Sequence, residues 1–576
     1  MSNMRPDLGQ FLTRTFKTIE QHRVALFVIL SLVPIGLAFG YTGQYGVTVA
    51  WWDDFDGRIP LFQKYFAHQL EWQDFFRQHN EHRIVFPRMV FLLLGLLTKM
   101  SNRVELFLIV ILFLGNFVLI FLEFQRRADW KQRILWLLPV LFMVLNQRQG
   151  ETLLWSFTLS LVMTLSFVLA AFFALHQLNR PLTRRRRRCF AVLSVACATG
   201  ASFSAAMGLL VWPILVVQLL LSSAEKGEKG SLLRWLLVIG VVEWIIYFHG
   251  YVQPAYHPST MFIFLHPIQF ASYFFTCLGG VLLPKETALP TGIVAVTLFG
   301  ISAWFLRREK AYAENGFYVS VALYSLATAF MVSVGRAGSG SEQALASRYT
   351  SFTLYFYIAV YLLLLEVVLR KRHALLWVGL GAVLAVMTLS TAMAYGQGGQ
   401  AGLDYQTSRE RMAYYLTHYR LVSDDDLRML FADVRQVRAG ADFLEKRQLN
   451  AFAVKAPELA TLAPLDIEPL TVIDRNSFKI TDRAVWIESW AVDPKWKGAG
   501  GGMWVKVNGE LYAALYGIAR PDVAQYLGGS DYEFSGFLAI VPRSVLKPGE
   551  NQVEVYLLSH DKKGYFRHAF TYRWPE

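Results

Sequence analysis

Residues 51–58 read WWDDFDGR and residues 79–98 read HNEHRIVFPRMVFLLLGLLT, in the loop after an apolar run that begins near Val24. If that run crosses a bilayer, the acids of the first segment lie at its exit, close to the membrane surface. Ionisable groups in such a place are costly, so a functional site is the default expectation. We expect the loop to fold back and bring acids, imidazoles and guanidinium groups to one interface. The alternative is a solvated loop with an aromatic belt.

The composition is typical of a polytopic membrane protein. Of the 576 residues, 54% are apolar and 17% are charged, against roughly 25% charged in soluble domains. A soluble enzyme is therefore excluded. The formal net charge of +13 is distributed in short basic clusters between apolar runs, which indicates cytoplasmic loops rather than nucleic-acid binding. The three cysteines have neither disulfide nor metal-ligand spacing.

Apolar runs long enough to cross roughly 30 Å of hydrocarbon number about eleven. They lie near residues 24–42, 104–124, 134–147, 153–177, 189–205, 206–222, 232–249, 291–306, 316–334, 352–369 and 374–394. The sequence therefore predicts an α-helical polytopic membrane protein whose first helix is uncleaved and whose amino terminus is cytoplasmic.

Two further apolar runs, 84–98 and 267–283, decide the topology. If the first crossed the membrane, the basic cluster at 126–133 would be exported, against the positive-inside rule. We therefore place both runs along the outer surface as surface helices, which keeps the later basic clusters in the cytoplasm and the carboxyl terminus outside. Four polar segments then share the outer face: residues 51–83, 147–155, 250–267 and 335–350.

The chain changes character after about residue 400. We assign residues 1–400 to a transmembrane domain and 401–464 to a helical connector, because apolar residues there have helical spacing. From 465 to 576 the pattern alternates and turn signals recur, as at Asn508-Gly509, which predicts an extracytoplasmic antiparallel β-sandwich domain. We expect its tryptophans to pack in its core rather than to stack on sugars.

The first outer loop resembles that of the GT-C class of polytopic glycosyltransferases, which take a sugar from a polyprenyl-phosphate donor. Those enzymes carry an Asp-Asp or Asp-Glu pair just after the first helix and short surface helices before the second span; WDDFD and HNEHRIVFPRMVFLLLGLL are similar. The resemblance covers roughly residues 20–400. It implies a glycosyltransferase of the bacterial inner membrane with a transmembrane catalytic domain, 1–400, and a periplasmic carboxyl-terminal domain.

Inverting transfer from a sugar phosphate needs a base for the acceptor hydroxyl and cations for the departing phosphate. Asp53 or Asp54 is the expected catalytic base, and the resemblance favours the first of the pair. The arginines at the two ends of the glycine-rich segment GRAGSGSEQALASRYT (335–350) are the best candidates for phosphate binding. The candidate donor or acceptor ligands are Asp56, Arg58, His79, Glu81, His82, Arg83, Glu151, His257, Arg336, Arg348 and Tyr349.

Simpler roles remain for these side chains. The arginines can extend to lipid headgroups, and Glu151 can cap a helix or form a salt bridge. We expect no metal site and no required cofactor, although imidazole and carboxylate groups also allow Mg²⁺ or Mn²⁺.

No nucleotide-binding glycine loop is present in the sequence, which favours a lipid-linked donor. The expected partners are a polyprenyl-phosphate sugar, a glycan or protein acceptor such as a pilin, and membrane lipid, without nucleic acid.

Two other functions stay open. An O-antigen polymerase or ligase also has many spans and outer arginines, but such enzymes concentrate their chemistry in a long late loop. A flippase or other transporter of lipid-linked glycans would show internal repeats and charges near the membrane midplane, and we find neither.

Overall fold

The computed structural model describes residues 8–254, 258, 261–282, 285–371, 373–454 and 459–574. The chain divides into two compact units. The first, called the helical unit, contains the residues up to Gly46 together with Lys64–Leu96 and Asn102–Leu403. The second, called the mixed unit, contains Val47–Gln63, Leu97–Ser101 and the residues from Asp404 onward.

Helices make up most of the chain. The α-helices are α1 (Leu8–Tyr45), α2 (Ile59–Phe66), α3 (Trp72–Phe76), α4 (Val85–Thr98), α5 (Asn102–Phe124), α6 (Trp130–Arg133), α7 (Leu138–Val144), α8 (Gly150–Leu154), α9 (Leu159–His176), α10 (Arg184–Ser202), α11 (Val211–Leu221), α12 (Lys226–Phe248), α13 (Phe262–Leu265), α14 (Pro267–Gly279), α15 (Lys285–Arg308), α16 (Tyr312–Arg336), α17 (Ser347–Lys371), α18 (Ala374–Thr417), α19 (Asp424–Arg428), α20 (Val434–Arg447) and α21 (Pro521–Leu527).

Eight helical segments of the described chain are long and apolar enough to cross a membrane. They are Gln21–Tyr45, Asn102–Phe124, Ser156–Asn179, Gly227–Phe248, Glu286–Arg308, Tyr312–Ser339, Ser347–Lys371 and Ala374–Thr417. The prediction of a multi-pass, mainly helical membrane protein is confirmed in this coarse form. The orientation of the two termini stays a prediction.

Three of the eleven predicted spans are not confirmed. Residues 134–147 form a short 3₁₀ turn and α7, because Pro139 starts a new helix and the apolar run ends at Asn146. Residues 189–205 lie largely in α10, whose first five residues are arginines, and Ala206–Leu221 is a shorter apolar helix. The predicted surface helices correspond to α4 and α14, which have 14 and 13 residues and are short for a span of about 20.

The interior of the helical unit is built around α17. This helix is mainly apolar and every residue from Thr350 to Val368 is buried, as expected of a helix surrounded by others. It packs against α16, α15 and α14, while α9 packs against α5 and α10. The loops at the ends of these helices carry the polar residues described below.

The carboxyl-terminal part of the mixed unit is a nine-stranded sheet in the order β3-β11-β10-β7-β8-β9-β6-β4, with β5 paired to β6. Its strands are β3 (Ala463–Pro464), β4 (Leu470–Val472), β5 (Phe478–Ile480), β6 (Ala484–Val492), β7 (Gly502–Val507), β8 (Glu510–Ile518), β9 (Gly536–Pro542), β10 (Gly549–Leu558) and β11 (Gly564–Trp574), and a two-stranded ribbon, β1 (Gln78–His79) with β2 (His82–Arg83), belongs to the helical unit.

The predicted two-sheet sandwich is not confirmed, because the strands form one continuously paired, curled sheet. Alternate side chains from β6, β7, β10 and β11, including Val485, Val505, Val555 and Phe566, meet in one buried core. The predicted turn at Asn508-Gly509 joins β7 to β8, and both residues have positive φ, 49° and 97°. Trp490 and Trp504 are buried, as expected.

The predicted domain boundaries fall at identifiable places in this fold. The boundary after residue 400 lies within α18, and the predicted connector 401–464 includes the end of α18 together with α19 and α20. The division into domains stays a prediction.

Candidate functional site

The segment WWDDFDGR forms a tight helical turn in the mixed unit, which we call the acidic turn (residues 51–58). Trp52 has a φ of 48°, and the Gly57 amide donates to the Asp53 carbonyl at 2.8 Å. Residues 54–58 have π-helical geometry, a rare form that occurs frequently at functional sites. The turn therefore presents three neighbouring carboxylates in different surroundings.

Asp54 is the buried carboxylate of the acidic turn. Its Oδ1 lies 3.6 Å from Arg58 Nη1, and both side chains are at most 2% exposed. The Trp51 amide also donates to Asp54 Oδ2 at 3.1 Å. Burial raises the pKa of Asp54; Arg58 and the Trp51 amide oppose this rise, and the neighbouring Asp53 adds to it. These contacts favour a structural role for Asp54, because they hold the turn closed.

Asp53 and Asp56 differ from Asp54 in exposure. Asp53 is half-buried and Asp56 is exposed. Phe55, which lies between these two aspartates in the sequence, is buried, and so is Arg58. A proton acceptor has to be reached by the group it deprotonates. Of the predicted pair, Asp53 meets this requirement and Asp54 does not.

The acidic turn rests on the helices that follow α18. The Phe55 and Phe431 rings are stacked with centroids 6.1 Å apart, and the Trp52 amide donates to the Leu430 carbonyl at 2.8 Å. A Cβ at Gly440 of α20 would lie 3.1 Å from a carbon of the Phe55 ring. The turn is therefore held by close packing as well as by hydrogen bonds.

Arg409 is a second support that the sequence analysis missed. Its guanidinium carbon lies 3.2 Å from the centroid of the Trp51 ring and 4.5 Å from that of Tyr405, and its side chain is buried. Cations over an indole face are attracted by the ring quadrupole. The sequence around Arg409 did not indicate that its partner would be Trp51, which lies more than 350 positions earlier in the chain.

In the helical unit, Glu81 lies beside two other predicted site residues, Arg336 and His82. Its Oε1 lies 3.1 Å from Arg336 Nη2 and 3.8 Å from His82 Nε2. The other ring nitrogen of His82 accepts from the Ala206 amide at 3.2 Å. The hairpin of β1 and β2 is thereby connected to the end of α16 and to the start of the turn before α11.

Glu151 and Arg348 form a second carboxylate–arginine pair in the helical unit, 2.9 Å apart. The guanidinium carbon of Arg348 also lies 5.2 Å from the Tyr349 ring centroid. The Glu151 amide donates to Ser347 Oγ at 3.1 Å, and that hydroxyl donates to the Arg148 carbonyl at 3.0 Å. The loop before α17 is thus attached to the loop around α8.

Arg148 is a site residue that the sequence analysis missed. It donates to the Leu345 carbonyl at 2.7 Å, and burial lowers its pKa to about 10, with Glu151 opposing the shift. Its position three residues before Glu151, in a segment already expected at the outer face, was the available signal. A guanidinium beside a carboxylate–arginine pair adds positive charge to this loop.

Arg83 is occupied by backbone carbonyls, and His79 packs against an aromatic ring. The Arg83 guanidinium donates to the backbone carbonyls of Tyr247, Phe76 and His249 at 2.6, 2.7 and 2.5 Å. His79 is buried with its ring centroid 5.0 Å from that of Phe157. The three hydrogen bonds favour a structural role for Arg83. His257 lies outside the described residues.

The described site residues form one group within the mixed unit and two groups within the helical unit. The acidic turn of the mixed unit contains Asp53, Asp54, Asp56 and Arg58. The helical unit joins Glu81, His82 and Arg336 in one cluster, and Glu151, Arg348 and Tyr349 in another. Half-exposed carboxylate–arginine pairs can exchange the carboxylate for a phosphate, because a guanidinium binds either in a forked geometry.

Comparison with known proteins adds no relationship. No family model matches the chain, and neither a curated protein nor a solved structure matches it.

Proposed function

We propose that the protein is a membrane glycosyltransferase of the GT-C kind. It moves a sugar from a polyprenyl-phosphate donor to an envelope glycan or a protein such as a pilin, on the periplasmic face of the bacterial inner membrane. The observation that carries the proposal is the acidic turn, where a half-exposed aspartate stands beside a buried one soon after the first long apolar helix. In many enzymes two neighbouring carboxylates differ in solvation, and this difference gives them different catalytic roles.

In the proposed reaction Asp53 is the general base. It accepts the proton of the acceptor hydroxyl while that oxygen bonds to the anomeric carbon of the sugar. The bond from this carbon to the phosphate oxygen breaks with its electron pair, so the polyprenyl phosphate departs as an anion and the configuration inverts. Asp54 acts as a positioning residue, because its contacts with Arg58 and Trp51 fix the turn.

Arg336 and Arg348 are the proposed ligands of the departing phosphate. Arg336 is paired with Glu81 and Arg348 with Glu151, and each arginine retains partial exposure. A phosphate carries more charge and more acceptor oxygens than a carboxylate, so it competes well for a guanidinium. Neither a metal nor another cofactor is part of this proposal.

The experiment uses the full chain in lipid nanodiscs with a panel of synthetic polyprenyl-phosphate sugars. Binding and transfer to glycan or peptide acceptors are followed by mass spectrometry, with Asp425→Asn as the control because that aspartate is exposed. We expect transfer from one donor class by the wild type and by the control. If no lipid-linked sugar binds the wild type, the assigned class is wrong.

The same assay separates the proposal from a polymerase or ligase. Such an enzyme would depend on the late loop between α16 and α17, which Arg336 at the end of α16 and Arg348 in the first turn of α17 flank. If Arg336→Gln and Arg348→Gln abolish transfer while Asp53→Asn retains it, the chemistry belongs to that loop and the polymerase or ligase is the better assignment.

A further inference from the structure

A cavity of about 350 Å³ in the helical unit lies away from all the residues discussed so far. It is lined by Gln177, Arg180, Leu182, Arg186, Cys189 and Phe190. Two guanidinium groups therefore share the cavity with the apolar side chains of Leu182 and Phe190. This combination is amphipathic, with cationic groups next to an apolar wall.

The two arginines of the cavity have no carboxylate partner among the described residues. The neighbouring Arg187 is different, because it is paired with Glu228 and donates to the Arg180 carbonyl at 3.3 Å. Arg180 is half-buried, and its pKa is lowered by burial and by the nearby Arg126, with Glu123 opposing the shift. A partly desolvated cation is unfavourable unless an anion joins it.

The cavity adjoins the end of a candidate membrane span. Arg180 directly follows the candidate span Ser156–Asn179. Arg186 lies in the first turn of α10, whose amides and dipole favour an anion at this end. Side chains that end a membrane span meet the phosphate groups of lipids, while apolar neighbours meet the start of the acyl chains.

We propose that this cavity binds an anionic phospholipid from the surrounding bilayer. Arg180 and Arg186 hold the phosphate, and Leu182 and Phe190 contact the first carbons of the acyl chain. The site is independent of sugar transfer, since none of its residues belongs to the acidic turn or to the carboxylate–arginine pairs. The lipid supplies the anion that the two arginines lack among the described residues.

The test compares two double variants in nanodiscs that contain phosphatidylglycerol and phosphatidylcholine. Arg180→Gln with Arg186→Gln removes the cavity arginines. Arg184→Gln with Arg185→Gln removes the same charge from positions of the same run that do not line the cavity. Native mass spectrometry then counts the phosphatidylglycerol molecules that stay bound after the protein is released.

We expect the wild type and the control pair to retain one phosphatidylglycerol. The cavity pair should retain it about tenfold less, as is typical when charge-assisted hydrogen bonds are lost. Replacement of both cavity arginines by lysine should preserve most of the retention. Equal melting temperatures of both double variants in lipid-free detergent show that the loss is not caused by misfolding.

Two results would overturn the proposal. Equal loss in both double variants would mean diffuse attraction of lipid by the basic run. Displacement of phosphatidylglycerol by millimolar inorganic phosphate would mean a site for free phosphate instead of a lipid.

Discussion

The acidic turn and the loops of the helical unit both pair carboxylates with arginines, but at very different separations in sequence. Asp54 and Arg58 are four residues apart, and both are at most 2% exposed. Glu81 and Arg336 are 255 residues apart, Glu151 and Arg348 are 197 apart, and all four keep 20–33% of their side-chain surface exposed. A buried local pair fixes the shape of one turn, whereas exposed long-range pairs connect loops and can exchange partners.

The largest expected effect comes from breaking the buried local pair. Arg58→Met leaves the Asp54 carboxylate buried without its arginine, which should cost about 3–5 kcal/mol in free energy of unfolding. Thermal denaturation of the full chain in nanodiscs measures the loss. The control is Arg435→Gln in the same unit, since that arginine is 93% exposed. An unchanged melting temperature for Arg58→Met would show that the pair does not stabilise the turn.

The packing beneath the turn gives the next effect. Gly440→Val places a side chain against Phe55. A Cβ atom alone at this position would lie 3.1 and 3.2 Å from two carbons of the Phe55 ring. Overpacking of this kind costs about 1–3 kcal/mol, and the displaced turn should also reduce sugar transfer. Gly36→Val is the matched control, because no atom lies within 4 Å of a Cβ there. If both variants have the same stability and the same rate of sugar transfer, the packing of Gly440 against Phe55 does not hold the acidic turn in place.

The long-range pairs should show weaker coupling. Double-mutant cycles with Glu151→Gln and Arg348→Gln, and with Glu81→Gln and Arg336→Gln, should each give a coupling of about 0.5–1 kcal/mol, because partial exposure screens these charges. The measurement is again thermal denaturation. A coupling energy as large as the effect of Arg58→Met would contradict the idea that the long-range pairs stabilise the protein less than the buried local pair does.

The smallest expected effect is a pH dependence. Burial raises the pKa of Asp54 in the folded protein above the ordinary 3.8. The protonated Asp54 carboxyl therefore contributes its full stability below the pKa that it has in the unfolded chain. This contribution is lost as the pH rises through the pKa that Asp54 has in the folded protein. The melting temperature of the wild type, relative to Asp54→Asn, should fall as the pH rises from 3.8. A difference that stays constant with pH would contradict the burial of this carboxyl.

The sequence predicted features that depend on local patterns. Long apolar runs predicted the candidate spans, alternation predicted strands such as β6, and Asn508-Gly509 predicted the turn between β7 and β8. It did not predict that the sheet is continuous. The alternation of apolar and polar residues along a strand is the same in a two-sheet sandwich and in one curled sheet. The sheet is continuous because β8 pairs with β9, as at Leu515 and Leu538, and this pairing is a tertiary feature.

The candidate residues were predictable as a set, but their pairing was not. Charge near the membrane singled out Glu81, Glu151, Arg336 and Arg348, yet nothing in the sequence determines which acid meets which arginine across some two hundred residues. The contact of Arg148 with the Leu345 carbonyl is also a long-range pairing, although the position of Arg148 beside Glu151 was an available signal. The burial that separates Asp53 from Asp54 depends on the packing of Phe55 and on Arg58, so it also needed the structure.

The division of roles between the two adjacent aspartates is tested most directly by comparing Asp53→Asn with Asp54→Asn. The rate of sugar transfer and the melting temperature are measured on the same nanodisc samples. We expect Asp53→Asn to lower kcat by about 100- to 10,000-fold, as for loss of a general base, with an unchanged melting temperature. Asp54→Asn should retain measurable transfer and change the melting temperature instead. Wild-type kcat in Asp53→Asn would contradict the account.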